Sequence, residues 1–209
     1  MVTPELLPVF KFKGRFLVKT VAHMAPKPAQ ELTTQNLSDY TGTVGQLTDF
    51  LAKNPETFPV MFREMLHNPK AEVRLRMGNA VEKAARQNPA LLFPFRSEIF
   101  AAAKERQETE IIWHVALLLG YLVLEEDELA LAVNKLYEWL DTVAHKFVKI
   151  NCLQTLAVLA MQHDWLKPEV TETLKAALEA ESASMKARAR ILLKKLEPKS
   201  KRYGLVPEK

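Results

Sequence analysis

The residue types that most often carry metal or nucleophilic chemistry are thinly spread along this chain of 209 residues. No two of its five histidines stand three or four residues apart, the spacing that places two metal ligands on one helical face. They are His23, His67, His114, His145 and His163. The single cysteine, Cys152, excludes a disulfide framework and a C-x-x-C metal site. The sequence therefore predicts no metal site and no cofactor, with Cys152 as a small core residue.

The glycine and serine patterns give no catalytic loop. The six glycines form neither G-x-G-x-x-G nor G-x-x-x-x-G-K, and no G-x-S-x-G surrounds a serine. Gly120 stands alone inside a predicted helix, where we expect it to allow close packing against a neighbour. No apolar stretch approaches the roughly 18 residues that a membrane-spanning helix needs. These patterns favour a protein that is not an enzyme, does not span a membrane and lies in the cytoplasm.

Four segments of the chain repeat one hydrophobic pattern. They begin at Val73, Ile111, Val148 and Met185, which are 38, 37 and 37 residues apart. In each segment positions 1, 5, 8, 9 and 12 are largely small or apolar, and this spacing traces one stripe along a helix. A period of this length made of helix pairs is typical of an α-solenoid. The sequence therefore predicts an all-α protein.

Turn residues divide this array into about four helix pairs and a C-terminal capping helix. Asn54-Pro55 and Asn88-Pro89 suit the start of a helix, where proline is tolerated and asparagine can cap. The charges of Glu125, Glu126 and Asp127 also suit a helix N-terminus. The predicted helices cover 41–53, 56–67, 70–87, 89–105, 108–124, 126–142, 145–162, 167–180 and 183–196.

The two ends of the chain do not follow the repeat. Residues 1–35 are basic, and Phe10 and Phe12 alternate with Lys11 and Lys13, a pattern that suits a short hairpin. Three interpretations remain open: an arm that caps the array, a disordered extension, or a transit-type peptide. The repeat domain is predicted to cover 36–198, and 199–209 form a polar basic tail.

The repeats resemble the HEAT family of helical repeats. The resemblance rests on the hydrophobic pattern of the first helix in each pair, on Val73-Arg74 and on the Asx-Pro or acidic turns. Lys149 and Lys186 occupy the position of Arg74 in later copies, and Ile112 departs from it. The chain also resembles small uncharacterised bacterial HEAT-repeat proteins. Over roughly 41–196 the resemblance implies a right-handed α-α superhelix, a fold that hosts many functions.

The function that we expect from such a fold is recognition of a protein or peptide without catalysis. The helical register turns Ala132, Leu136 and Leu140 inward. Six residues on two successive second helices are left outward as partner-binding candidates: Ser97, Phe100, Lys104, Asn134, Tyr137 and Asp141. Phe100 and Tyr137 are of the type that dominates binding hot spots. Alternatively, one or both rings fill the seam between repeats.

Nucleic-acid binding is the alternative function. DNA-alkylation-repair glycosylases with HEAT-like folds use a groove of cationic, aromatic and carboxylate residues, for which Trp113, Tyr137, Trp139 and Asp141 are candidates here. From Met185 to Arg202 the chain has eight basic residues and one acidic residue. Those that could contact phosphates are Lys186, Arg188, Arg190, Lys194, Lys195, Lys201 and Arg202. The competing interpretation is a solvated last helix whose cations suit its negative end.

Overall fold

The computed structural model describes residues 33–40, 42–180 and 182–197, and within these ranges the chain forms helices and turns without a strand. The α-helices are α1 (Val44–Lys53), α2 (Phe58–His67), α3 (Ala71–Gln87), α4 (Arg96–Glu105), α5 (Thr109–Leu119), α6 (Glu126–Thr142), α7 (Lys146–Gln162), α8 (Lys167–Ala177) and α9 (Ala183–Leu196). Short 3-10 helices cover Thr34–Asp39, Pro55–Thr57, Pro89–Phe95 and Asp164–Leu166. The predicted all-α class is confirmed over the described residues.

Helical structure begins before residue 36, the predicted start of the repeat domain. The first 3-10 helix starts at Thr34, and the Thr33 backbone N–H donates to Oδ1 of Asn36 at 2.8 Å. The short polar side chain of Asn36 thus satisfies a backbone donor at this turn. The rest of the predicted arm and the tail 199–209 lie outside the described residues.

Two differences from the predicted helix boundaries occur at prolines and at a glycine. The structure places α6 and α9 at the predicted bounds, but residues 89–95 form a 3-10 helix before α4 begins. Pro94 lies inside that stretch, and its ring and missing N–H oppose an α-helical ladder. Helix α5 ends at Leu119 instead of residue 124 because Gly120, a poor helix former, follows it.

The helices that carry the repeated pattern pack one against the next. Helix α3 contacts α5, α5 contacts α7, and α7 contacts α9. The second helix of each pair packs on the first helix of the following pair, so that α4 contacts α5, α6 contacts α7 and α8 contacts α9. Packing of neighbours in this order is what the repeat period predicts.

The helices α3, α5 and α7 run in the same direction. Arg74 near the start of α3 pairs with Glu110 near the start of α5, while the Tyr121 hydroxyl just after α5 donates to Glu82 in the second half of α3 at 2.6 Å. Between α5 and α7, Asn151 donates to the Trp113 carbonyl and Thr155 to the Ala116 carbonyl. These bonds join residues 36 to 39 positions apart, about one repeat length.

One hydrophobic core connects these helices, and it contains the predicted inward stripe. Most stripe residues are buried, including Met77 on α3, Val115 on α5, Leu156 on α7 and Leu192 on α9. Ala84, Met185 and Leu193 are half-buried at its margin. Helix α7 packs against α5, α6, α8 and α9. Burial of an aliphatic side chain contributes roughly 1.5–3 kcal/mol, so the stripe holds the array together.

Candidate functional site

The predicted partner-binding residues lie on α4 and α6, two helices in contact. Ser97, Lys104, Asn134 and Asp141 are exposed, as their register predicted. Phe100 and Tyr137 are half-buried and pack against the core. The two rings therefore match the alternative in which they fill space between repeats. Their role in partner binding stays a prediction.

Two polar contacts connect the second helices to one another. Arg96 on α4 forms an ion pair with Glu128 on α6, and its hydrogen bond holds the pKa of that carboxyl below its ordinary value. The Tyr137 hydroxyl on α6 lies 3.4 Å from Thr173 Oγ1 on α8, and burial raises its pKa. These side chains connect neighbouring repeats.

The residues considered for a glycosylase-like groove do not form one exposed group. Trp139 is 2% exposed and belongs to the core, so its ring cannot stack on a nucleic-acid base. Trp113 is half-buried on α5, where it contacts His145 and Phe147. Asp141 is exposed on α6.

The basic residues near the C-terminus differ in their surroundings. Arg190, Lys194 and Lys195 are exposed, and Lys186 is half-buried. Arg188 is half-buried and donates to Gln154 Oε1 on α7 at 3.0 Å, so it fastens α9 to its neighbour. Lys194 and Lys195 lie in the last turn of α9, where cations suit the negative end of the helix. Lys201 and Arg202 lie outside the described residues.

Three aromatic rings meet at the start of α7, and we call Trp113, His145 and Phe147 the α5–α7 aromatic cluster. The ring centroids of Trp113 and Phe147 are 5.2 Å apart, and His145 lies 5.7 Å from Trp113 and 5.8 Å from Phe147. Phe147 is 40% exposed, and His145 is exposed at the residue before α7 begins. The cluster thus presents aromatic surface to solvent beside the core.

Parallel packing of α5 and α7 produces this cluster. Trp113 is the third residue of the second repeat segment, and Phe147 immediately precedes the third segment. In the preceding repeat Arg74, the second residue of its segment, pairs with Glu110, which immediately precedes the second segment. Sequence reasoning missed the cluster because neither ring belongs to the inward stripe. The sequence does contain a signal: a residue early in one repeat segment can meet the residue just before the next segment. Using this signal requires knowing that successive helices are parallel.

The charge around the cluster is positive. Lys146 Nζ lies 5.2 Å from the centroid of the Phe147 ring, and Lys149 follows one turn later on α7. Within the described part of the chain neither lysine forms an ion pair with a carboxylate. The acids that begin α5 are already engaged, Glu108 by Arg106 and Glu110 by Arg74.

Two buried titratable groups lie between or within the packed helices, and burial keeps both uncharged. His114 is 1% exposed, and its Nδ1 lies 2.6 Å from the Glu110 carbonyl oxygen, to which it donates. Its Nε2 has no hydrogen-bond partner among the described residues, and burial lowers its pKa to about 4. Cys152 is buried as predicted, and burial raises its thiol pKa to about 12. A thiol that stays protonated is a poor nucleophile and metal ligand.

The comparisons with known proteins add no relative to this description. No family model, curated protein or solved structure matches the chain. In the described ranges no three His, Cys, Asp or Glu side chains are grouped to hold a metal ion. A search of the same residues finds no helix long and apolar enough to cross a membrane. The resemblance to HEAT repeats stays a prediction.

Proposed function

We propose that this protein is a HEAT-like helical-repeat module, a right-handed α-α superhelix, that binds a segment of another protein and catalyses no reaction. Two features support the repeat assignment: α3, α5 and α7 are parallel, and their polar contacts join residues about one repeat apart. Helical repeats of this kind offer extended surfaces for peptides and proteins.

The observation that carries the binding function is the α5–α7 aromatic cluster. The Trp113 carbonyl accepts a hydrogen bond from Asn151, and Phe147 lies on α7, which packs against α5, α6, α8 and α9. Aromatic side chains lose little conformational entropy on binding and contribute much of the energy at interfaces. The exposed residues Ser97, Lys104, Asn134 and Asp141 of α4 and α6 offer a second surface for the same partner.

Affinity capture with two matched variants tests this function. The immobilised wild type, Phe147→Ala and Phe93→Ala are incubated with cell extract at about 50 and 150 mM salt. Phe93 is 55% exposed and lies on the 3-10 helix before α4, so its loss controls for removing an exposed phenylalanine. We expect the wild type and Phe93→Ala to retain the same proteins, and Phe147→Ala to lose them. Equal recovery by all three forms would contradict the proposal.

Nucleic-acid binding remains the second candidate because of α9. Arg190, Lys194 and Lys195 are exposed, and no ion pair occupies them within residues 182–197 or elsewhere in the described chain. If this end binds duplex DNA, affinity falls with salt at a log–log slope of about −0.9 for each phosphate contacted. In the capture experiment, material that is nuclease-sensitive and lost on Lys194→Gln/Lys195→Gln would favour this candidate over protein binding.

A further inference from the structure

We infer that the segment bound by the α5–α7 aromatic cluster is acidic, with an apolar or aromatic side chain among its carboxylates. This inference rests on the proposed function and specifies the class of partner. The apolar side chain would pack on Trp113 and Phe147, and the carboxylates would pair with Lys146 and Lys149.

The first reason is the placement of two lysines at the start of α7. Amide groups make the N-terminal end of a helix positive, so acids stabilise it and cations oppose it. Helices α3, α4, α5, α6 and α8 each have an acid in the first turn. Helix α7, like α1, α2 and α9, has none, and it begins with Lys146. His145 provides no side-chain cap for α7 either. A carboxylate from outside would complement this end of α7.

The second reason is that the nearby acids are already occupied. Arg74 and Arg106 bind the carboxylates that begin α5, and their side chains are largely or partly shielded from solvent. Lys146 lies over the Phe147 ring, and within the described residues neither Lys146 nor Lys149 has a carboxylate partner. The uncompensated charge beside the aromatic surface is therefore positive, and an acidic partner provides its complement.

The third reason is that the lysines do not serve the packing of the helix. Lys146 is exposed, and Lys149 is half-buried at the position where Arg74 forms the α3–α5 ion pair in an earlier copy. Helix α9 packs next to α7. At the position that corresponds to Glu110 it has Ser184, so it supplies no acid there to pair with Lys149. A local departure from favourable electrostatics is typical of a functional surface.

Selection from a random 12-residue peptide library on phage tests the inference. The immobilised forms are the wild type, Trp113→Ala/Phe147→Ala, Lys146→Glu/Lys149→Glu and the control Lys53→Glu/Lys175→Glu. The control makes the same charge change at exposed positions on α1 and α8. Circular dichroism establishes that each form is folded, and the lysine variants alter no buried residue.

We expect wild-type selections enriched in Asp and Glu beside an aromatic or large aliphatic residue. Binding of the selected peptides should fall at least tenfold with Lys146→Glu/Lys149→Glu and stay within twofold of wild type with the control. Peptides that need Trp113 and Phe147 but show no acidic enrichment, or bind equally to the charge-reversed form, would overturn the inference and leave the proposed function standing. Selection of no peptide that depends on the two rings would contradict both.

Discussion

The two successive seams between parallel helices use different chemistry at equivalent places. Near the helix starts, the α3–α5 seam has the Arg74–Glu110 ion pair, whereas the α5–α7 seam has the Trp113–Phe147 stack. Further along, the buried ring of His114 faces Gly78 in the middle of α3. In the second seam, about one helical turn later in the repeat, the Thr155 side chain faces Gly120 just after α5 ends. The repeat thus maintains the spacing and direction of the helices while the contacts between them vary.

This difference separates a structural seam from a candidate binding edge. In the first seam Arg74 and Glu110 near the helix starts are paired with each other, so neither is left for another molecule. In the second, the rings that replace the ion pair stay partly exposed, and the lysines of α7 have no acid beside them. The first seam also contains a titratable side chain in its interior, and the second contains a neutral hydroxyl.

The largest expected effect on stability comes from a substitution in the buried core beside the α5–α7 seam. Leu156 is fully buried on α7, so Leu156→Ala should lower the free energy of unfolding by about 2–5 kcal/mol through lost burial and a residual cavity. Met161→Ala on the same helix is the control because Met161 is 41% exposed, and we expect it to cost less than about 1 kcal/mol. Urea denaturation measures both. Similar midpoints for the two variants would show that α7 is not oriented as described.

The sequence predicts the parts of the fold that depend on local periodicity. Leu156 and the rest of the inward stripe follow from apolar residues spaced three and four apart. The lone Gly120 predicts a close approach to a neighbouring helix, and the Thr155 side chain of α7 lies there. The helix predicted over 89–105 contains Pro94, and a proline inside a predicted helix is itself a local signal of a break.

The candidate site depends on long-range geometry and was less predictable. Phe100 and Tyr137 sit at the margin between inward and outward positions, where a large ring can turn toward the core without a change of register. The Trp113–Phe147 stack joins residues that belong to no stripe, and it exists only because α5 and α7 are parallel. The close approach of Gly78 to His114 likewise depends on the offset between α3 and α5. The hydrophobic pattern within a single helix does not determine that offset.

The second prediction uses the titratable group of the first seam. The pKa of His114 is about 4 in the folded protein and roughly 6.5 when unfolded. Between these values the unfolded chain binds the extra proton, so stability falls as the pH drops from 6.5 and stops falling below 4. The loss is about 3 kcal/mol in total, of which about 2 kcal/mol is reached by pH 5.

Urea denaturation at pH 7 and pH 5 measures this loss, and His114→Gln is the control because glutamine does not titrate. We expect the wild type to lose about 2 kcal/mol more than the variant between the two pH values. An equal loss in both proteins would assign the pH dependence to other groups. The second seam, with Thr155 at its centre, should make no such contribution.

The last prediction compares the two glycines directly. A Cβ on Gly78 would lie 2.3 Å from His114 Nδ1, whereas on Gly120 it would lie 3.0 Å from Thr155 Cγ2. Overpacking costs roughly 1–3 kcal/mol, and alanine in a helix regains up to about 1 kcal/mol over glycine. Gly78→Ala should therefore destabilise the protein by about 1–2 kcal/mol, and Gly120→Ala by less than about 1 kcal/mol. In a His114→Ala background the Gly78→Ala penalty should shrink because the ring is gone, while the Gly120→Ala penalty should stay the same. This double-mutant cycle isolates the contact between Gly78 and His114, and a Gly78→Ala cost independent of His114 would place the strain elsewhere in the first seam.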